Sequence, residues 1–332
     1  MKKRKGCGCL VFSVLLVVAG CVVASVFMTA LQPTRPKPEE FVRFSRPTRI
    51  GDGLKELEGK GIVRNSTAAA IYAKMTGKGG DIKTGTYKLK AGTTLDVVLK
   101  GLKVPWRQMV RLPEGWWQLR TAARLESFDV CTGKDYVDAA KSPEKYEDVG
   151  LPIKSGSLEG WLFPDTYDLA PLTPAENVVR LQLRTFKRKV LDRYPETKDW
   201  NRVLTVASMV ELEAAKDEER PRVAGVIENR LRKGQPLEID ATVLYALQEW
   251  KNLGPGIVRT VKSPYNTYLN KGLPPGPIGS PGLKSIVATL KPEKHGYLYY
   301  VARPNRSHYF AATYSEHLSN IRKARAEWRA QK

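Results

Sequence analysis

The rhythm of apolar and polar positions changes several times along the chain, and each rhythm predicts a different element. Residues 9–31 are almost wholly apolar, and no charged residue occurs from Gly6 to Thr34. Such a run is long enough to cross a hydrocarbon core of about 30 Å as a helix. Residues 32–39 are Pro-rich and polar, the composition of an extended tether. Residues 41–50 then alternate weakly, as an edge or half-buried strand would. Leu54 and Leu57 fall at helical spacing, and Ser66 precedes a helix with Ala69, Ile71, Tyr72 and Met75 that Gly77 ends. Residues 85–89 read as a short strand, and Thr93 or Thr94 opens a helix through Val97, Val98 and Leu99.

A faint repeat at an offset of 68 positions sets Val42-Arg43 over Val110-Arg111 and Leu57-Glu58 over Leu125-Glu126, implying two related small α+β units. Residues 141–156 are a polar link. Thr173-Pro-Ala-Glu176 starts a helix containing Val178, Val179, Leu183 and Phe186. Val203, Ala207, Val210 and Ala214 repeat at i, i+4, i+7, i+11 and predict a helix with one buried face. Val223, Val226, Ile227 and Leu231 form a second such stripe, which Gly234 stops. Asp240 is placed to cap a third helix. Residues 263–282 carry Pro, Gly, Asn and Tyr with no period, a long loop of the kind that lines sites. Residues 297–302 and 308–313 suggest a hairpin, and a basic helix with Leu318 and Ile321 closes the chain. The predicted class is α+β. An N-terminal membrane helix precedes small α+β units, and a mainly helical α+β domain comes after them.

Charge sharpens the reading at the N-terminus. Lys2, Lys3, Arg4 and Lys5 precede the apolar run, so the positive-inside rule keeps residues 1–6 cytoplasmic and sends the remainder outward. Val18-Ala-Gly-Cys21 resembles a lipoprotein processing site, but residues 22–28 stay apolar where a processed lipoprotein turns polar, which favours an uncleaved anchor. Lys and Arg number 55 against 34 Asp and Glu, a surplus of 21, and attraction to polyanions is expected from it. Nucleic acid, anionic lipid and a carboxylate-bearing wall polymer would all satisfy it. The basic residues are dispersed without a nucleic-acid recognition motif. Cys7, Cys9 and Cys21 lie in or beside the apolar run, leaving Cys131 alone, and His295, His308 and His317 are scattered. No cofactor or metal site is therefore expected, and the chemistry falls to carboxylates, hydroxyls and amides.

At about 100° per residue, Glu211 projects roughly 40° from Ala207, at the margin of the apolar face, and Glu213 roughly 120° away. Burial would raise the pKa of the first and leave the second ordinary. The run Ala207-Ser-Met-Val-Glu211-Leu-Glu-Ala, the segment Val223-Ala-Gly-Val-Ile-Glu-Asn229-Arg230-Leu231, Ser263-Pro-Tyr265-Asn266-Thr-Tyr268 with Gly272-Leu-Pro-Pro-Gly276, and Leu158-Glu159-Gly-Trp-Leu-Phe-Pro-Asp165-Thr-Tyr167 together resemble the endolytic murein transglycosylase, or YceG-like, family. The resemblance covers essentially the whole chain. It implies a LysM-like subdomain over residues 41–105, a second small unit over 106–157 and a catalytic domain over 158–332, behind a membrane helix at 7–31 and a linker at 32–40.

The resemblance further implies that Glu211 donates a proton to the glycosidic oxygen of peptidoglycan. As carboxylate it then takes the proton of the muramic acid C6 hydroxyl, leaving a 1,6-anhydro end. Glu159, Tyr167, Asn229, Asp240, Tyr265, Asn266 and Tyr268 are the expected substrate contacts. Peptidoglycan strands, membrane lipid and, as candidates, peptidoglycan synthases are the implied partners. The chain departs from the family pattern at Ala241, Glu228 and Leu318. A muramidase and a non-catalytic, membrane-anchored wall-binding protein are the alternatives.

Overall fold

The computed structural model describes residues 7–154, 156–251, 253, 254 and 256–331, with the backbone alone in 7–12 and 15. The chain divides into two compact units, Met1–Gln108 with Ala170–Leu172, and Met109–Leu169 with Thr173–Lys332.

In the first unit α1 (Cys7–Ala30) presents exposed Val14, Leu16, Val22 and Val26. Among the described residues no helix is long and apolar enough to cross a membrane. The expected basic tail, residues 1–6, and several side chains of the expected span lie outside the described residues. β1 (Glu39–Phe44) pairs antiparallel with β2 (Gly85–Lys90), Val42 opposite Tyr87. The expected strand over 41–50 thus ends at Phe44, and Ile50 already begins a helix. α2 (Ile50–Gly59), α3 (Ser66–Met75) and α4 (Leu95–Gly101) complete the unit. The cap of α3 is Asn65 rather than Ser66, its side chain accepting from the Ala68 amide at 2.8 Å. Leu54, Leu57, Ile82, Tyr87 and Leu99 form the core.

The second unit opens with β3 (Met109–Leu112), α5 (Gln118–Ser127) and α6 (Gly133–Ala140). β4 (Asp165–Asp168) pairs antiparallel with β3, and α7 (Ala175–Lys189) comes after it. Residues 106–157, expected as a separate small unit, share one core with residues further along the chain: Val110, Leu125 and Tyr136 pack with Trp161, Phe186, Trp200 and Ile286. Next come α8 (Trp200–Glu213), α9 (Arg220–Arg232), α10 (Asp240–Leu247) and α11 (Leu283–Leu290). The expected hairpin forms from β5 (Tyr299–Ala302) and β6 (His308–Ala311), before α12 (Tyr314–Ala330) with its Thr313–Glu316 capping box. A second core joins Val206, Met209, Val223, Ile227 and Ile278.

Candidate active site

The site is built on the C-terminal end of α8. Asp199 starts the helix by accepting from the Arg202 amide at 3.0 Å. Leu204 and Ala207 feed the first core while Val206, Met209 and Val210 feed the second, so every residue from Leu204 to Val210 is buried. A helix covered on both sides has no solvent face. That geometry gives the two carboxylates at its end surroundings other than the expected ones.

Glu211 is locked in an ion pair. Its Oε1 accepts from Arg220 Nη1 at 3.0 Å and its Oε2 from the Gly282 amide at 2.8 Å, with 6% of the side chain exposed. Arg220 also donates to Asp217 Oδ1 at 2.9 Å and to Ser285 Oγ at 2.6 Å. The Glu114 carboxyl packs against Gly282 on its open side, where a Cβ would fall 2.1 Å from Oε1. The expectation of an unpaired acid at an apolar margin is corrected: both carboxyl oxygens accept hydrogen bonds, one of them from the Arg220 guanidinium.

Glu213, expected to face water with an ordinary pKa, is half-buried and lines a cleft of about 300 Å³. Burial pushes its pKa up to about 7; a hydrogen bond from Tyr300 pulls it down, the Asp240 charge adds to the rise, and Arg230 opposes it. The Tyr300 hydroxyl donates to Glu213 Oε2 at 3.0 Å. Glu219 helps set the hairpin that carries Tyr300, accepting from the His308 amide at 3.0 Å and facing its Nδ1 at 2.7 Å.

Asp240, Tyr268, Arg230 and His317 share the cleft with Glu213 and Tyr300. Asp240 does not cap α10, as its position suggested; it is the first helical residue, and its Oδ1 accepts from the Tyr268 hydroxyl at 2.6 Å. Arg230 donates to the Leu298 and Leu237 carbonyls at 2.6 and 2.7 Å. His317 stacks on Tyr299 with centroids 5.0 Å apart. Burial lowers the His317 pKa, which favours the neutral ring. A neutral acid beside an exposed carboxylate is the pattern that separates proton donor from charge stabiliser in glycan-cleaving sites.

The other expected contacts lie elsewhere. Tyr167 is a core residue whose hydroxyl donates to the Phe163 carbonyl at 2.6 Å. Asn229 donates to the His295 and Tyr297 carbonyls, each at 2.9 Å, and borders a different groove of about 860 Å³. That groove is larger, and its Glu228 and Glu293 are ion-paired, with Arg202 at 2.7 Å and Arg222 at 3.0 Å. Asn266, fully buried, donates to the Val258 and Val261 carbonyls at 2.7 and 2.8 Å and so shapes the 263–282 loop. Tyr265 packs on Tyr245 at 4.8 Å. Glu159 accepts from the Gln118 amide at 3.2 Å and from Tyr245 at 3.4 Å. Burial raises its pKa to about 8, and its second oxygen has no partner among the described residues. Cys131 is a half-buried thiol whose pKa is pushed up by desolvation to about 11. Among the described residues no group of His, Cys, Asp and Glu could hold a metal ion.

The order of these motifs along the chain has a counterpart in known proteins: the model of the YceG-like family matches residues 45–323. The chain belongs to the YceG-like family. Within it, the endolytic murein transglycosylase of Bacillus subtilis (strain 168) is 30% identical over 286 residues, covering 79% of this chain and 78% of that protein. The protein of the same name from Streptococcus pneumoniae serotype 2 is 29% identical over 353 residues, and the match takes in 94% of this chain but 63% of the streptococcal length. The crystal structure of a YceG-like protein from Listeria monocytogenes aligns with a TM-score of 0.57 at 30% identity, covering 85% of this chain and 99% of that one. In this YceG-like chain the cleft residues that the sequence reading did not expect there are Glu213, Arg230, Tyr300 and His317. Glu213 and Arg230 sat inside the family-like motifs without a role. Tyr300 carried only the strand signal of its hairpin, and His317 no signal at all.

Proposed function

We propose that this chain is an endolytic peptidoglycan transglycosylase whose acid is Glu213. One observation carries the reading: a carboxyl with a pKa near 7 stands in a cleft beside Asp240, Tyr268 and Arg230. The names of its relatives support the substrate class. Protonated Glu213 gives its proton to the oxygen of the β-1,4 bond between N-acetylmuramic acid and N-acetylglucosamine, and the C1–O bond breaks. The carboxylate so formed takes the proton of the muramic C6 hydroxyl, and O6 bonds to C1. The products are a 1,6-anhydro end and a free 4-hydroxyl, with no water consumed and Glu213 protonated again. Asp240, held by Tyr268, supplies negative charge beside the cationic sugar, and Tyr300 sets the acid strength of Glu213.

Asp240 also favours one rival reading, since a second carboxylate in the same cleft is what a hydrolase needs. Mass spectrometry of muropeptides released from purified peptidoglycan decides between them. Anhydro ends support the transglycosylase; ordinary reducing ends would make the enzyme a muramidase and refute it.

The apolar run of residues 9–31, with no charged residue from Gly6 to Thr34, supports an uncleaved anchor in the cell membrane. The N-terminus would then be cytoplasmic, with both folded units outside, where nascent strands would be cut near the bilayer and their length limited. The first unit, with its own core and strand–helix–helix–strand order, is proposed as the LysM-like module, and peptidoglycan synthases as neighbours. Removing residues 1–31 should move the protein from the membrane to the soluble fraction; retention in the membrane would contradict the anchor.

A further inference from the structure

Three of the chain's seven tryptophans gather around one arginine outside the cleft. The Arg120 guanidinium lies 4.7 Å from the centre of the Trp116 ring, 5.4 Å from Trp117 and 5.8 Å from Trp250. Trp117 is buried and serves as the base. It meets Trp250 at 6.1 Å and the edge of Tyr245 at 6.2 Å. Trp250 is 54% exposed, although burying an indole is among the largest apolar gains available to a side chain. Arg120 is half-buried, and desolvation lowers its pKa. Among the described residues no carboxylate or carbonyl accepts from its guanidinium, and none of its nitrogens is both sealed from solvent and unpaired. A cation clamped over three rings, with its donors still open, is a preformed half of an ion pair.

The cluster is fixed to the elements of the cleft. Gly115, at φ +74°, packs against Leu212 of α8, and its amide donates to the Ser280 carbonyl at 2.8 Å. The Ser280 amide returns to the Trp116 carbonyl at 2.9 Å. α10 begins in the cleft at Asp240 and reaches the tryptophans at Tyr245, about 8 Å further along its axis.

We propose that Trp116, Trp117, Arg120 and Trp250 form a glycan-strand subsite separate from the cleft. The open face of Trp250 takes the C–H face of a pyranose ring, and Arg120 pairs with a carboxylate carried by the strand, either the muramic lactyl group or the stem peptide. The proposal rests on peptidoglycan being the substrate and extends that reading. A second handhold lets the enzyme hold a strand internally rather than at an end.

The test is calorimetric titration of the full chain carrying Glu213→Gln, which binds without cutting. The ligands are uncrosslinked strands with stem peptides, strands stripped of peptide, and chitin oligosaccharides, which have no carboxylate. Trp250→Ala should weaken binding of all three about tenfold, and Trp250→Phe should keep most of it. Arg120→Gln should weaken only the carboxylate-bearing ligands. Loss with both kinds of strand points to the lactyl group, and loss confined to peptide-bearing strands to the stem. Trp250→Ala binding all three as the parent does would overturn the subsite while leaving the substrate reading intact. A parent chain that binds none of them overturns both.

Discussion

Two carboxylates two positions apart at the end of the same helix have opposite environments. Glu211 faces the start of α9 and α11, where Arg220 and the Gly282 amide take both of its oxygens. Glu213 faces the β5–β6 hairpin and α10, where Tyr300 is its hydrogen-bond donor and Asp240 a nearby negative charge. The first arrangement fixes backbone; the second raises the pKa of a carboxyl. The contrast arises because α8 is buried at every residue from Leu204 to Val210. Each step around its C-terminal turn meets a different element, and what waits there sets the chemistry.

The contrast can be broken by substitution, and the largest effect is expected at the acid. Glu213→Gln should lower the rate of strand cleavage by roughly 10²–10⁴ with the melting temperature held or raised, the usual cost of losing a general acid. Glu211→Gln should do the reverse, lowering stability while the folded fraction still cuts. Steady-state kinetics beside thermal melts distinguish the two patterns. Equal loss of activity in both folded variants would remove the distinction between these residues.

Next in size is the ion pair itself. Arg220→Ala strands the Glu211 carboxylate in a buried place, and the expected loss of stability is about 3–5 kcal/mol by denaturant melts. A loss below about 1 kcal/mol would mean that the pair is not holding α8, α9 and α11 together.

Glu159 gives a third, pH-dependent effect. Its pKa near 8 in the folded chain stands above the ordinary 4.5. Between those values the folded state keeps a proton that the unfolded state has lost. Its contribution to stability is therefore full below about pH 4.5, falls as pH rises, and levels off above about pH 8. Glu159→Gln should gain on the parent by up to roughly 4 kcal/mol between pH 5 and pH 8, at about 1.4 kcal/mol per pH unit. Parallel stability curves across that range would contradict the burial of an ionisable carboxyl there.

Much of the framework was legible in local pattern. The helix through Glu211, the hairpin after residue 297 and the patternless loop at 263–282 all come from periodicity and turn residues, which act over short range. The site was legible only in outline. The helical wheel assumes one buried face, and on a helix feeding two cores it turned Glu213 outward and left the Arg220 partner of Glu211 unseen, while the acid role of Glu211 came from the family resemblance. Asn229 and Asn266 looked like ligand-binding amides, yet both spend their donors on backbone carbonyls. The Asn229 partners come from 66 and 68 positions along the chain, which no local rhythm reveals. Asp240 read as a cap because cap and site residues share the same chemistry, and its partner Tyr268 lies 28 positions away.

The most direct test is the pH dependence of kcat/KM on uncrosslinked glycan strands, measured for the parent chain and for Tyr300→Phe. With Glu213 as the donor, the rate should fall about tenfold per unit above roughly pH 7. The falling limb should move to higher pH in Tyr300→Phe, because that hydroxyl favours the charged carboxylate. A profile flat through pH 8.5, or a limb that stays in place when the Tyr300 hydroxyl is removed, would contradict the assignment.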